Sequence, residues 1–344
     1  MGAVVDDPHR WLEDIAGEDA LAWARGHNER TDAELSGDRF EPMRVQALEV
    51  FDTDDSIPSI RRRGEFLYHF WRDAANPRGL WRRTTLDSFR TDTPDWDVLI
   101  DVDALAAAED ENWVWHDADV IKPDFSRAMI DLSRGGADAT EIREFDMTTR
   151  QFVPDGFTIP AAKTSGCWED EDTLLVGTDS GSLTNAGYPR LVKRWRRGQP
   201  LDQAETVFEA QVTDVSVSAR VDRTPGFERT LVRRTIDRYT TQVFELRAGE
   251  FIRIDAPTDA TVSAHRQWLH IRLRTDWHRD DIKYAAGALL IADYDEFLAG
   301  TAELHVVFEP GERTTVRQAT WTRDKTSHCH DDRCRQPCPG RHTR

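Results

Sequence analysis

The feature that most constrains this chain is a rhythm of short apolar runs. They fall at residues 66–71, 79–84, 96–100, 128–132, 141–145, 173–177, 190–195, 205–209, 230–234, 242–246, 251–254, 268–273 and 304–308. Each is rich in Val, Ile, Leu, Phe, Trp or Thr and is bounded by Gly, Pro, Asn or Asp, the pattern of a β-strand between turns. The runs gather in groups of three or four that restart near residues 65, 125, 170, 215 and 265. A strand-built repeat of roughly 40 to 50 residues is the period of β-propeller blades. A sandwich would not hold that period so long. The expected fold is therefore mainly β, an incomplete propeller of five to six blades. Apolar residues make up only 39% of the chain, but 12 Trp and 15 Phe supply large buried surfaces.

The first fifty residues differ. Leu21, Ala24, Asn28, Thr31 and Leu35 follow a helical spacing from Asp19, and Gly37 is a natural stop. A second helix places Phe40, Met43, Ala47, Leu48 and Phe51 on one face, with Pro42 tolerated near its start. Two short amphipathic helices thus precede the strands, and each needs a partner to cover its stripe. Later, residues 285–300 read as an apolar strand and a short helix inserted as decoration on a blade.

Charge narrows the partners. The chain carries 63 acidic and 45 basic residues, a formal net charge of -18. Such a field repels nucleic acid and anionic membranes. The basic stretches Arg61-Arg62-Arg63 and Lys193-Arg194-Trp195-Arg196-Arg197 read as solvated strand or hairpin faces. No apolar run is long enough for a membrane span, and residues 1–7 lack the pattern of a signal peptide, so the cytoplasm is the expected compartment. Of the 4 Cys, Cys167 stands alone as a small buried hydrophobe, and no disulfide framework is expected.

The stretch Asp7-Pro8-His9-Arg10-Trp11-Leu12-Glu13-Asp14 resembles the Asp-Pro-Tyr-Arg-Trp-Leu-Glu-Asp signature near the start of the prolyl oligopeptidase family of serine peptidases, with His9 in place of Tyr. The likeness continues at Ala20-Leu21-Ala22-Trp23 and at Asn76-Pro77-Arg78-Gly79-Leu80-Trp81-Arg82, and extends less specifically to about Lys325. The resemblance implies a propeller that covers an α/β-hydrolase domain, admits short peptides and excludes large folded substrates. The hydrolase would be built from the N-terminal helical segment together with the chain that follows the propeller. Its nucleophile would sit in a Gly-x-Ser-x-Gly elbow, with Asp and His later. This sequence contains no Gly-x-Ser-x-Gly, and Gly181-Ser182-Leu183 reads as a loop between strands. No catalytic, cofactor-binding or metal residue is therefore assigned, and no cofactor is expected.

The remaining clusters have ordinary readings. His265, His270 and His278 lie near Trp268 and Trp277 without facing partners that would make a metal site. The acidic runs Asp54-Asp55, Glu109-Asp110-Glu111 and Glu169-Asp170-Glu171-Asp172 lack the spaced ligands and Gly of a calcium loop and read as turns. Trp113 and Trp115 alternate as neighbours in a blade core. Residues 326–344 contain no Val, Ile, Leu or Phe but hold three Cys and three His. Cys329, Cys334, Cys338 and His342 are chemically able to bind zinc, yet their spacing matches no specific pairing. The favoured reading of this tail is an out-of-frame or disordered end. The expected organisation is a helical segment over 1–55, a truncated propeller over 56–325 and the tail over 326–344. The expected role is the propeller portion of a prolyl oligopeptidase-type serine endopeptidase, inactive as this chain, with self-association through unclosed edges. A stand-alone binding propeller, and a subunit completed by a separate hydrolase chain, are the rival readings.

Overall fold

The computed structural model describes residues 7–14, 17–51, 59–179, 181–322 and, for the backbone alone, 326–332. A single 3-10 turn, Arg10–Glu13, leads into α1 (Glu18–Leu35) and α2 (Phe40–Phe51). Both helices form where the spacing placed them, and the Ser36 amide closes α1 on the Asp32 carbonyl.

Five antiparallel sheets follow. Blade 1 is β1 (Arg61–Arg63), β2 (Phe66–Trp71), β3 (Leu80–Thr85) and β4 (Asp97–Asp101), with α3 (Leu86–Phe89) after β3 and α4 (Val102–Glu109) after β4. Blade 2 is β5 (Trp113–Val120), β6 (Arg127–Arg134) and β7 (Thr140–Asp146), with both β8 (Gln151–Phe152) and β9 (Thr158–Ala162) paired to β7. Blade 3 is β10 (Ser165–Asp170), β11 (Thr173–Gly177), β12 (Leu191–Arg196) and β13 (Glu205–Glu209). Blade 4 is β14 (Ser216–Asp222), β15 (Arg229–Thr235), β16 (Thr241–Arg247) and β17 (Glu250–Arg253). Blade 5 starts with β18 (Thr261–His265) and β19 (Trp268–Arg272). The separate hairpin β20 (Trp277–Arg279) and β21 (Ile282–Tyr284) intervenes before β22 (Leu289–Asp293), α5 (Tyr294–Leu298) and β23 (His305–Phe308) complete it. Finally β24 (Thr314–Trp321) pairs with β25 (Thr326–Asp332).

The blades are held together by alternation. On β6, Ala128, Ile130 and Leu132 join the cluster shared with blade 1, while Met129 joins the one shared with blade 3. On β11, Leu174 and Val176 face blade 2 and Leu175 faces blade 4. Successive side chains of a strand point to opposite faces, so a run of consecutive apolar residues buries both faces of a blade against its neighbours. Trp113 and Trp115 belong to the core between blades 1 and 2, Trp115 stacking on Phe70 at 5.0 Å.

Two expectations are corrected. Blade 2 opens at Trp113, not near residue 125: its first strand starts with only three apolar residues, Trp113-Val114-Trp115, before His116, Asp117 and Asp119 break the pattern. The strand in residues 285–300 is not decoration. β22 is the third strand of blade 5, pairing Leu269 with Ala292 and Ile271 with Leu290, and Leu289, Leu290 and Ala292 are fully buried. The decoration is the β20–β21 hairpin. Its central residues Asp280 and Asp281 both take positive φ, 52° and 61°, as a tight hairpin turn requires.

Candidate functional site

The first strands of consecutive blades lie side by side and form the inner wall. Arg61 on β1 donates to Asp117 on β5 at 2.8 Å, and Arg63 Nη2 donates to the Ala118 carbonyl at 2.9 Å. The Trp168 indole on β10 donates to the Asp119 carbonyl at 3.0 Å. Arg223, just after β14, donates to the Glu169 carbonyl of β10.

At the inner end of the seam between blades 2 and 3 lies a cavity of about 230 Å³. Met129, Ile142, Ile159 and Leu174 give it apolar walls, and Asp119, Asp131, Ser165 and Cys167 give it polar ones. A second space of about 350 Å³ shares Thr164 and Ser165 with it and reaches His116, Lys163, Tyr188 and Ser218. The Lys163 ammonium there lies 4.6 Å from the Tyr188 ring centroid.

The local fold explains why acids reach this place. β5 bulges between Trp115 and Asp117, so Asp117 comes to lie opposite Asp131 of β6. A bulge re-aims side chains in this way. Like charges facing across a sheet repel. Burial first, and then the charges of Asp117 and Asp119, push the Asp131 carboxyl up to about 7. Burial likewise raises Asp119. Burial, with Asp119 beside it, pushes the Cys167 thiol up to about 12. A thiol held protonated is a poor nucleophile, which argues against covalent chemistry at Cys167. His116 meets Ser133 Oγ at 2.7 Å, but Ser133 is only 1% exposed and so is not placed to attack a peptide.

The residues singled out from the sequence are scattered. Ser182 lies in the loop between β11 and β12 and accepts from Arg190 Nε at 2.7 Å. His265 stacks on Trp321 at 4.9 Å, His270 meets the same ring edge-on, and His278 sits on β20. Among the described residues no group of three or more His, Cys, Asp or Glu is arranged to hold a metal ion. Glu109 binds Arg143 and the Trp113 indole, Glu111 binds Arg134, and Glu169 holds Arg194 bidentately. Asp54 and Asp55 lie outside the described residues, as do Cys334, Cys338 and His342. Of the basic stretches, Arg61, Arg62 and Arg196 are exposed, whereas Lys193 and Trp195 are buried. Asp131 and Asp119 were not singled out. The one available signal was an aspartate inside the apolar run at 128–132.

Among the described residues no helix is long and apolar enough to cross a membrane. Residues 1–250 match the family model of the prolyl oligopeptidase N-terminal β-propeller domain. The chain is 34% identical over 334 residues to the uncharacterized peptidase y4nA of Sinorhizobium fredii, covering 93% of this chain and 46% of that one. It is 26% identical over 338 residues to the uncharacterized peptidase RP174 of Rickettsia prowazekii, covering 92% and 47%. A post-proline cleaving enzyme from Rickettsia typhi superposes with a TM-score of 0.84 at 25% identity, over 94% of this chain and 50% of that chain. The chain thus spans about half the length of the relatives it matches. With five blades, inner first strands and these matches in agreement, the chain belongs to the prolyl oligopeptidase family and carries the propeller of such peptidases.

Proposed function

We propose that this chain is the substrate-filtering propeller of a serine-type endopeptidase acting on short peptides in the cytoplasm, without catalytic activity of its own. The observation that carries this reading is the superposition on the Rickettsia typhi post-proline cleaving enzyme across nearly the whole of this chain but half of that one. The chemistry would be acyl transfer by a Ser whose proton is taken by a His that an Asp orients, on a hydrolase domain that the propeller caps. A ring of blades leaves a narrow passage, so unfolded peptides reach the nucleophile and folded proteins do not.

The N-terminal helices support the same reading. Among the described residues of α1 and α2, Ala20 alone is buried, and Leu35, Met43, Val50 and Phe51 are each more than two-thirds exposed. An apolar stripe this open needs a cover. We assign residues 1–55 to the face that packs on a hydrolase domain, 56–325 to the propeller, and leave 326–344 outside both.

The test is a chimera of this chain with the hydrolase half of the Rickettsia typhi enzyme, assayed on a proline-containing fluorogenic peptide. The chain alone is expected to be inert, and the chimera to cleave the peptide while sparing folded globular proteins. Cleavage that co-purifies with the chain alone through several columns would overturn the inactive assignment. Equal cleavage of folded proteins by the chimera would overturn the filter.

A further inference from the structure

We propose that the cavity between blades 2 and 3 is a subsite for a basic side chain, accepting the guanidinium or ammonium group of a peptide against Asp131 and its aliphatic stem against the apolar walls. This deepens the peptide-filter reading and rests on it.

The cavity holds an unmet demand for hydrogen-bond donors. Asp131 Oδ1 and Ser165 Oγ are both fully enclosed and have no hydrogen-bond partner in the structure, and both line this one cavity. An enclosed acceptor without a donor is costly, and more so when it is charged. A ligand that brings donors into this cavity would meet that demand, and arginine and lysine head groups carry several donors and no acceptor.

Charge favours a cation. Asp117 is paired with Arg61, and Asp119 has Arg63 and Lys122 nearby. Asp131 faces Asp117 and Asp119 from β5, Ile142 from β7, and Ser165 and Cys167 across the cavity from β10. Among the described residues no cation is paired with it. An anion would be repelled, and a bare divalent ion would lack the six or more oxygen ligands it takes.

Met129, Ile142, Ile159 and Leu174 line the same cavity as the Asp131 carboxylate, so a long side chain with an apolar stem and a charged tip meets a partner for each. The adjoining space shares Thr164 and Ser165 with the cavity, and there Tyr188 already holds a cation, the chain's own Lys163, against its ring.

The experiment is calorimetric titration of the full chain with acetyl-Gly-Arg-Gly-amide and with its citrulline counterpart, which keeps the shape and loses the charge. At pH 8 the arginine peptide is expected to saturate the chain and the citrulline peptide to bind ~10-fold more weakly or worse. Binding to the ionised carboxylate, with a midpoint near 7, means that lowering the pH from 8 to 6 weakens the arginine peptide ~10-fold. Asp131→Asn keeps the shape of the side chain and is expected to abolish both the discrimination and the pH dependence. Its melting transition, recorded alongside, identifies a misfolded variant, and the two peptides on the native chain decide the matter in that event. Equal binding of the two peptides, absence of binding by both, or an Asp131→Asn chain that still discriminates would overturn the subsite. Failure of the filter reading looks different: the chimera would cleave folded proteins as readily as an uncharged proline peptide.

Discussion

The N-terminal helices and the blades are built from residues of similar character but meet opposite fates. Leu48 and Phe51 on α2 are 47% and 79% exposed, whereas Leu132 and Leu289 in the blades are 0% exposed. The helices follow their periodicity faithfully yet find no cover among the described residues, whose four buried clusters draw only on residues from Tyr68 to Leu304. Each blade is covered because the next one has the same flat geometry. Amphipathicity decides which face must be buried. Only a neighbour of matching shape decides whether it is.

Mutations can break that comparison. Leu289→Ala, in the centre of blade 5, is expected to destabilise the chain by about 2–5 kcal/mol, while Phe51→Ala stays within about 0.5 kcal/mol. Urea unfolding followed by tryptophan fluorescence measures both, and equal costs would mean that the helices are packed in solution. The next effect sits between blades. Glu144 is 1% exposed and is held by Arg197 at 2.7 and 3.0 Å. Glu144→Gln is expected to cost ~2 kcal/mol, less than a fully enclosed pair because Arg197 is 31% exposed. A neutral result would place the blade 2–3 seam's strength in its apolar cluster alone.

A smaller effect separates structural from functional acids. The folded chain raises Asp131 from its ordinary 3.8 to about 7. The stability this contributes is complete below pH 3.8 and is lost as the pH rises towards 7. Asp131→Asn cannot titrate, so it is expected to gain on the native chain across that window, by on the order of 1–3 kcal/mol once water screening is allowed for. Parallel pH–stability curves for the two chains would remove the assigned burial. Least affected in stability is the helix surface. Leu48→Glu with Phe51→Glu is expected to change melting little but to reduce self-association, read by sedimentation velocity. Unchanged association would move its cause to the strand edges.

Legibility followed the same physics. Strands buried on both faces were visible because apolar residues dominate them with little alternation, as in 128–132 and 173–177. β5 was legible only at Trp113 and Trp115, because His116, Asp117 and Asp119 interrupt its apolar pattern. β22 was seen as a strand but placed outside the blade, since its partner β19 lies across the β20–β21 hairpin and local pattern does not encode pairing at a distance. The cavity was missed for a related reason. Asp131 looks like a flaw in an apolar run until a bulge in β5 sets Asp117 against it and β10 closes the other side.

The sequence by itself determined the repeat, the helical lead-in and the family, because these depend on periodicity and on contiguous residues such as Asp7 to Asp14. The tertiary structure alone decided which strands share a sheet, where blade 2 begins, and that Asp119, Asp131, Ser165 and Cys167 surround one space. Those four come from three strands of two blades. Their meeting depends on register and on the stacking of blades, which are set by the sum of many contacts and not by any local run of residues.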